Sequence, residues 1–253
     1  MSDSGLLPLP GFLGIGAMRA GTSWLATHLG RHPELWIGRK EIHFFDRKLS
    51  RRRIPFLPAD LEARFRYALR FAPSLFTGRM PGELTPAYAL LDRATIETVR
   101  RWMPEVRLLF IMRDPVERAW SQARHDYAVF LGRDAADAPE AELRAFFDRP
   151  GVRRRSDYAG CLEAWLDVFP RERLFPTFLE DVRSDPAGVL RSAFAFLGVE
   201  PDVPLADEVA SPVHRGADAP LPAWARRYLT ERLRPGDARL EAIVGRPLPW
   251  SDA

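Results

Sequence analysis

The 253-residue sequence predicts an α/β protein, a single P-loop-like domain with a central parallel sheet flanked by helices on both faces. Two observations support this prediction. Short apolar runs, of which residues 106–112 form the clearest, alternate along the chain with segments of helical period. The second observation lies near the N-terminus. There an apolar run at the start of residues 12–29 leads through a glycine-bearing turn into a helix, and this order of elements creates an anion-binding site. In such sheets the functional site lies at the carboxyl ends of the strands.

Composition narrows the class of protein. With 46% apolar and 28% charged residues, the chain is typical of a globular protein with a sizeable core. A net charge of +3 gives no reason to expect a nucleic-acid partner. The lone cysteine, Cys161, suits a reducing compartment, and no apolar stretch is long enough to span a membrane. We therefore expect one domain over residues 1–253 and a cytoplasmic location without a targeting leader.

The turn after the first strand has the spacing of a phosphate-binding loop. Gly16 and Gly21 are placed as the first and last glycines of a P-loop, and Ser23 falls at its Ser/Thr position. Thr22 stands where a P-loop has lysine, and Arg19 supplies a cation from inside the loop. We predict that this anion loop, residues 16–23, binds a phosphate at a helix N-terminus. The alternative is an ordinary strand-to-helix turn capped by Thr22 or Ser23.

Alternating strand and helix signals continue along the chain. Residues 35–37 form a second short apolar run after a proline that ends the first helix. The apolar spacing within residues 51–71 predicts a surface helix. Residues 76–86 contain a possible strand followed by turn residues, and residues 87–101 predict another helix.

The helix after residues 106–112 has a clear start. Asp114 is a favoured N-cap residue, Pro115 suits the first helical position, and Glu117 completes a capping-box-like arrangement. We expect this helix to run to about residue 130.

The second half of the chain carries weaker signals. Residues 131–156 are polar and rich in Ala, Asp and Arg, which predicts a variable surface loop. Helices are predicted over residues 157–169 and 186–197, with a strand between them at residues 173–178. A last amphipathic helix is predicted over residues 223–233.

Four segments together resemble the sulfotransferases that use 3′-phosphoadenosine 5′-phosphosulfate (PAPS). The resemblance is greatest to the heparan sulfate sulfotransferase branch and its bacterial relatives. The four segments are residues 16–23 (GAMRAGTS), 40–46 (KEIHFFD), 83–88 (ELTPAY) and 113–121 (RDPVERAWS). They occur in the family's order and, with weaker matches further on, cover nearly the whole chain.

The resemblance implies an enzyme that moves a sulfuryl group from PAPS to a hydroxyl, less likely an amine, of a glycan or small-molecule acceptor. The second product is adenosine 3′,5′-bisphosphate (PAP), and no metal is expected. The residues expected to bind PAPS are Arg19, Ala20, Gly21, Thr22, Ser23 and Trp24 at the 5′ end, Arg113 and Ser121 at the 3′-phosphate, and Tyr158, Arg215 and Gly216 from weaker matches.

The resemblance also assigns the acid–base residues. Glu41 matches the general base of the heparan sulfate branch, and we expect His43 to orient it or the acceptor. The small-molecule branch uses a histidine, so His43 stays an alternative base. Arg19, where the family often has lysine, would stabilise charge on the departing phosphate. Glu83 is a further candidate, expected to support the acceptor site. The surface loop predicted at residues 131–156 is then expected on the acceptor side of the site.

Two other functions are compatible with the residues alone. A P-loop small-molecule kinase using Mg-ATP would need the lysine that Thr22 replaces and an acidic Mg²⁺ ligand after a strand. A non-catalytic module that binds nucleotides or polyanions would explain the many arginines. Lys40 and Lys48 are the only lysines among 37 lysine and arginine residues, which leaves 35 arginines.

Overall fold

The computed structural model describes residues 7–47, 58–211 and 219–251. Its centre is a five-stranded sheet in which all neighbouring strands are parallel, in the order β2-β3-β1-β4-β5. The strands are β1 (Phe12–Gly16), β2 (Leu35–Ile37), β3 (Met80–Leu84), β4 (Arg107–Met112) and β5 (Leu174–Phe178). The predicted parallel α/β sheet is confirmed, and the strand that leads into the anion loop lies at its middle.

Both faces of the sheet are buried. In β4, Leu108, Phe110 and Met112 enter one apolar cluster, whereas Leu109 and Ile111 enter the cluster on the opposite face. Successive side chains of a strand point to opposite faces, so a continuous apolar run fits a strand that is covered on both sides. This is why residues 106–112 were readable as a strand.

Eleven α-helices lie within the described residues. They are α1 (Thr22–Gly30), α2 (Ala59–Ala68), α3 (Arg93–Trp102), α4 (Pro115–Asp126), α5 (Glu140–Phe147), α6 (Pro150–Ser156), α7 (Tyr158–Leu166), α8 (Leu179–Ser184), α9 (Pro186–Leu197), α10 (Ala223–Leu233) and α11 (Asp237–Val244). Helices α1 and α9 contribute to the apolar cluster on one face of the sheet. Helices α3, α7 and α11 contribute to the cluster on the other face, which confirms the predicted layers. None of the helices in these ranges combines the length and apolarity needed to cross a bilayer.

The prediction of a surface loop at residues 131–156 is wrong. This segment contains α5 and α6, which pack with α4 and α10 around a third apolar cluster. Leu143, Phe146 and Phe147 are buried in that cluster because their spacing places them on one helical face. Most of the Ala, Asp and Arg residues of the segment lie outside this buried face, so its polar composition masks the helical period.

Other boundaries differ from the expectations. The helix predicted within residues 51–71 begins at Ala59, and the first part of that prediction, residues 51–57, falls outside the described residues. The helix predicted over residues 87–101 is divided into a 3₁₀ turn, Pro86–Leu90, and α3.

The start of α4 is only partly as predicted. Asp114 caps the helix by accepting a hydrogen bond from the amide of Val116. The side chain of Glu117 does not complete the predicted capping box, because it forms ion pairs with Arg113 and Arg226.

Two loops meet at the carboxyl edge of the sheet. The anion loop follows β1, and the base loop, which we define as residues 40–46, follows β2. The amide of Glu41 donates to the carbonyl of Leu84 at the end of β3. The base loop therefore crosses the end of β3, the strand that neighbours β1.

Candidate active site

The anion loop presents an open helix N-terminus. Gly21 is the N-cap residue of α1 and has a left-handed backbone with φ of 99°. A Cβ atom at this position would lie 2.9 Å from Leu179, so the position requires glycine. Within the described ranges no side chain caps the helix, and its first turn holds no acidic residue. The predicted alternative of a cap by Thr22 or Ser23 is therefore not observed, and the N–H groups of the first turn remain available to an anion.

Arg19 joins the anion loop to α4. Its Nε donates a hydrogen bond of 3.3 Å to the hydroxyl of Ser121. Burial lowers the pKa of Arg19, and the positive charges of Arg113 and Arg124 lower it further, whereas Asp126 opposes them. The structure thus brings together Arg19 and Ser121, which the sequence assigned to opposite ends of the sulfuryl donor.

Arg113 lies directly after β4 and is largely buried. Its guanidinium pairs with Glu117 at 3.3 Å, and its backbone carbonyl accepts a hydrogen bond of 2.9 Å from the hydroxyl of Tyr158. The Nε atoms of Arg113 and Arg124 are buried and have no hydrogen-bond partner among the described residues. Buried donors of this kind are costly unless a ligand satisfies them, so they fit an anionic group held near Arg19, whose pKa both arginines lower.

The base loop carries a chain of charged contacts that leads to the anion loop. The ammonium of Lys40 donates to the hydroxyl of Ser23 at 2.6 Å and lies 3.3 Å from Oε1 of Glu41. The other oxygen of Glu41 lies 3.5 Å from Nε2 of His43, and Nδ1 of His43 lies 2.7 Å from Asp46. Both predicted acid–base residues are therefore in one connected cluster beside the anion loop.

Among the described residues, Arg19, Glu41 and His43 are those other than glycine that have a positive φ, with values of 66°, 60° and 55°. Such a conformation costs an ordinary side chain on the order of 1–3 kcal/mol and persists only where the surrounding structure enforces it. These are the same three residues that the sequence singled out as catalytic.

Sequence reasoning did not assign a role to Lys40, Asp46 or Arg124. A signal for Lys40 was present, because it is one of two lysines in a chain with 35 arginines. A lysine is a compact cation on a flexible stem, and here it reaches two partners from different loops. Arg124 had no comparable signal, since one arginine among many does not stand out.

Several predicted binding residues have other surroundings. Trp24 is buried in a core cluster, and its indole donates to the carbonyl of Val209. Tyr158 is buried and supports the backbone of Arg113. Arg215 and Gly216 lie outside the described residues.

Glu83 is fully buried, so any support of the acceptor site is indirect. It accepts hydrogen bonds from the hydroxyls of Tyr67, Thr85 and Tyr88. Burial raises the pKa of Glu83, and these three hydrogen bonds oppose the rise.

Comparison with known proteins adds independent findings. A model of the sulfotransferase family matches residues 10–203. Mouse heparan sulfate glucosamine 3-O-sulfotransferase 3A1 is 30% identical over 206 residues, which cover 78% of this chain and 48% of that protein. The human bifunctional heparan sulfate N-deacetylase/N-sulfotransferase 3 is 27% identical over 82% of this chain and 24% of its own length. This chain therefore spans half or less of the length of these relatives.

A solved structure is similar over nearly its whole length. The sulfotransferase from Alicyclobacillus acidocaldarius superposes with a TM-score of 0.72 and 28% identity, covering 96% of this chain and 98% of that one. Its similarity extends to the C-terminal part of the chain, beyond the residues that the family model matches.

Proposed function

Because this chain belongs to the sulfotransferase family, we propose that it transfers the sulfuryl group of PAPS to an acceptor hydroxyl and releases PAP. One observation carries the proposal. Arg19 joins the uncapped N-terminus of α1 to Ser121 on α4, and Arg113 and Arg124 lie close enough to Arg19 to lower its pKa. The Glu41 carboxylate is linked to the same loop through Lys40 and Ser23. Anion binding and proton removal can thus occur side by side.

PAPS has two anionic ends, and the site offers positive charge for both. The amides of Gly21, Thr22 and Ser23 at the N-terminus of α1 would hold the 5′-phosphosulfate. Arg113 and Ser121 would hold the 3′-phosphate, since the buried Nε–H of Arg113 has no hydrogen-bond partner among the described residues and could donate to it. We do not assign a contact to the side chain of Trp24, which is directed into the core.

The proposed reaction is an in-line displacement at sulfur. The acceptor oxygen forms a bond to sulfur while the bond between sulfur and the 5′-phosphate oxygen breaks, and the electron pair of that bond stays on PAP. Glu41 takes the proton of the acceptor hydroxyl. Arg19 and the amides of the anion loop stabilise the charge that builds on the departing phosphate.

Thr22 stands where a P-loop has lysine, and we propose that Lys40 supplies the missing positive charge from the base loop. Its ammonium already lies within hydrogen-bond distance of Ser23, at the Ser/Thr position of the loop. From there it adds positive charge between the Glu41 carboxylate and the helix N-terminus. With Lys40, Arg19 and Arg113 as cations, we propose that no divalent metal takes part.

The acceptor is proposed to be a glycan or small-molecule hydroxyl. The relatives' names include both a 3-O-sulfotransferase and an N-sulfotransferase, so an amine is the second candidate. We also propose that the protein works in the cytoplasm, because its lone cysteine is a free, buried thiol.

The proposal is tested by ligand-induced stabilisation followed by product analysis. PAP should raise the melting temperature in the presence of EDTA, because a ligand that binds only the folded state stabilises it. Incubation with labelled PAPS and a panel of glycans, phenols, alcohols and amines should then yield an acceptor that is heavier by one sulfuryl group, at a rate that EDTA does not change. Stabilisation by Mg-ATP and not by PAP would instead indicate the kinase alternative.

A substitution at Arg113 should separate binding from chemistry. We expect Arg113→Ala to weaken PAP binding by about 10- to 100-fold, because hydrogen bonds to charged groups contribute about 1.5–3 kcal/mol. Titration calorimetry measures this directly. Arg93→Ala is a matched control, since Arg93 forms exposed ion pairs on α3. An Arg113→Ala protein that binds PAP as tightly as the control would refute the assigned role.

A further inference from the structure

Beneath the base loop lies a buried network that the proposed reaction does not use. Oε1 of Glu83 accepts hydrogen bonds from the hydroxyls of Tyr88 at 2.6 Å and Thr85 at 2.7 Å, and Oε2 accepts one from Tyr67 at 2.6 Å. Glu83, Thr85, Tyr67 and Tyr88 are all fully buried. A carboxylate buried this completely is normally compensated, and here three neutral hydroxyls provide the compensation.

Tyr88 connects this network to the base loop. Its hydroxyl accepts a hydrogen bond of 2.9 Å from the backbone amide of Phe44. A tyrosine hydroxyl can donate one hydrogen bond, and Tyr88 donates it to Oε1 of Glu83. Glu83 thereby orients the hydroxyl so that its lone pairs face the amide of Phe44.

The contact falls at the strained part of the loop. Phe44 follows His43 directly, and both His43 and Glu41 have a positive φ. The Tyr88 hydroxyl is one backbone anchor, since it accepts from the amide of Phe44 and also forms a hydrogen bond with the backbone of Phe45. The other is the hydrogen bond of 3.0 Å from the amide of Glu41 to the carbonyl of Leu84. The two anchors enclose Glu41 and His43, so together they can hold these residues in a conformation that they would otherwise leave.

Aromatic packing supports the same arrangement but does not set its register. The rings of Phe44 and Phe45 pack against Tyr67 and Trp102, and Phe45 also contacts Tyr88. Packing of this kind is not directional along the backbone, whereas a hydrogen bond to the amide of Phe44 is.

We infer that Tyr88, oriented by Glu83, is a positioning residue for the general base: its hydroxyl clamps the amide of Phe44 and so holds Glu41 and His43 in place. This inference rests on the proposed function, in which the base loop serves catalysis. In the part of the chain that the structure describes, the hydrogen bonds of the Tyr88 hydroxyl and the Glu83 carboxylate lead to the base loop, Tyr67 and Thr85 and not to the anion loop. The clamp should therefore affect turnover and not the binding of PAP.

The chain offers a matched pair of substitutions. Tyr88→Phe and Tyr67→Phe each remove one buried hydroxyl that donates to Glu83 at 2.6 Å. Only the hydroxyl of Tyr88 also accepts from Phe44. The difference between the two variants therefore isolates the clamp from the cost of depriving Glu83 of a donor.

Three measurements on the full chain test the inference. Hydrogen exchange should show the amide of Phe44 protected in the wild type and in Tyr67→Phe, with exchange at least about tenfold faster in Tyr88→Phe. Turnover with PAPS and an acceptor should fall by about 10- to 100-fold in Tyr88→Phe relative to Tyr67→Phe, since small misplacement of a catalytic group has effects of this size. The Kd for PAP should be the same in all three proteins.

Equal exchange at Phe44 in the two variants, or equal turnover, would overturn the inference. If Tyr88→Phe does not fold, hydrogen exchange of the wild-type protein still tests the inference, because an unprotected amide at Phe44 would also overturn the inference. Failure of the proposed function has a different signature: the wild type would then transfer no sulfuryl group, whatever the exchange pattern of the loop.

Discussion

Replacing Glu41 with glutamine is expected to lower kcat by roughly 10²–10⁴-fold, the typical contribution of a positioned general base. The amide has nearly the shape of the carboxylate but cannot accept the proton of the acceptor hydroxyl. Glu41 lies in the base loop, 3.3 Å from Lys40 and 3.5 Å from His43, and takes no part in the proposed phosphate contacts. Steady-state kinetics should therefore show a loss in kcat with PAP affinity retained.

Glu97→Gln is the matched control for this experiment, because Glu97 is an exposed carboxylate that pairs with Arg93 on α3. It should leave turnover unchanged. An intact kcat in Glu41→Gln, in a protein that still binds PAP, would remove Glu41 from the role of base.

His43 is then the other candidate for the base. Its contact with Asp46 at 2.7 Å resembles the pairing by which a carboxylate orients a basic imidazole. A loss of kcat that is larger in His43→Gln than in Glu41→Gln, and that Asp46→Asn shares, would assign the base to His43. Under the proposed mechanism we expect the opposite order.

Replacing Arg19 with methionine is expected to lower kcat by about 10²–10³-fold, the loss found when one preorganised charge-stabilising donor is removed. Methionine keeps much of the side-chain length but has no charge. Arg19 reaches from the anion loop to Ser121, so its guanidinium lies between the two proposed anion sites. It can therefore respond to charge that develops on the departing phosphate.

Arg19→Lys should recover most of the lost rate, because the departing phosphate needs a nearby positive charge and not a proton. Arg101→Met provides the control, since Arg101 is an exposed residue that pairs with Asp60. If Arg19→Met raises only KM for PAPS and leaves kcat intact, Arg19 contributes ordinary binding and no preferential stabilisation of the transition state.

Much of the fold was predictable from local patterns. The apolar run of β4 indicated a strand buried on both faces, and Asp114 with Pro115 indicated where α4 begins. The prediction failed for residues 131–156, where α5 and α6 occur instead of a loop. There the large apolar residues are few and are outnumbered by charged ones. Their helical period became evident only from the residues that pack against them.

Part of the geometry of the candidate site was also predictable, while the roles of its residues stay predictions. The spacing of Gly16, Gly21 and Ser23 indicated an anion loop, and the structure has an uncapped helix N-terminus there. The resemblance of residues 40–46 selected Glu41 and His43, which lie in one cluster beside that loop. The anion loop was predictable because its glycine spacing and its strand-to-helix order act over neighbouring residues, whereas the backbone of Glu41 and His43 is held by contacts with Leu84 and Tyr88 that no local pattern indicates.

By itself, the sequence determined the alternation of strands and helices and the position of the anion loop, because periodicity, capping and glycine placement act over a few residues. The acid–base candidates Glu41 and His43 were identified by the resemblance of residues 40–46 to a family segment. Only the tertiary structure decided that Arg19 meets Ser121, that Lys40 meets Ser23 and that the base loop rests on the hydroxyl of Tyr88. Those contacts join residues 17 to 102 positions apart. Sequence spacing carries no information about such distances, which are set by how the strands are ordered in the sheet and how the loops pack at its carboxyl edge.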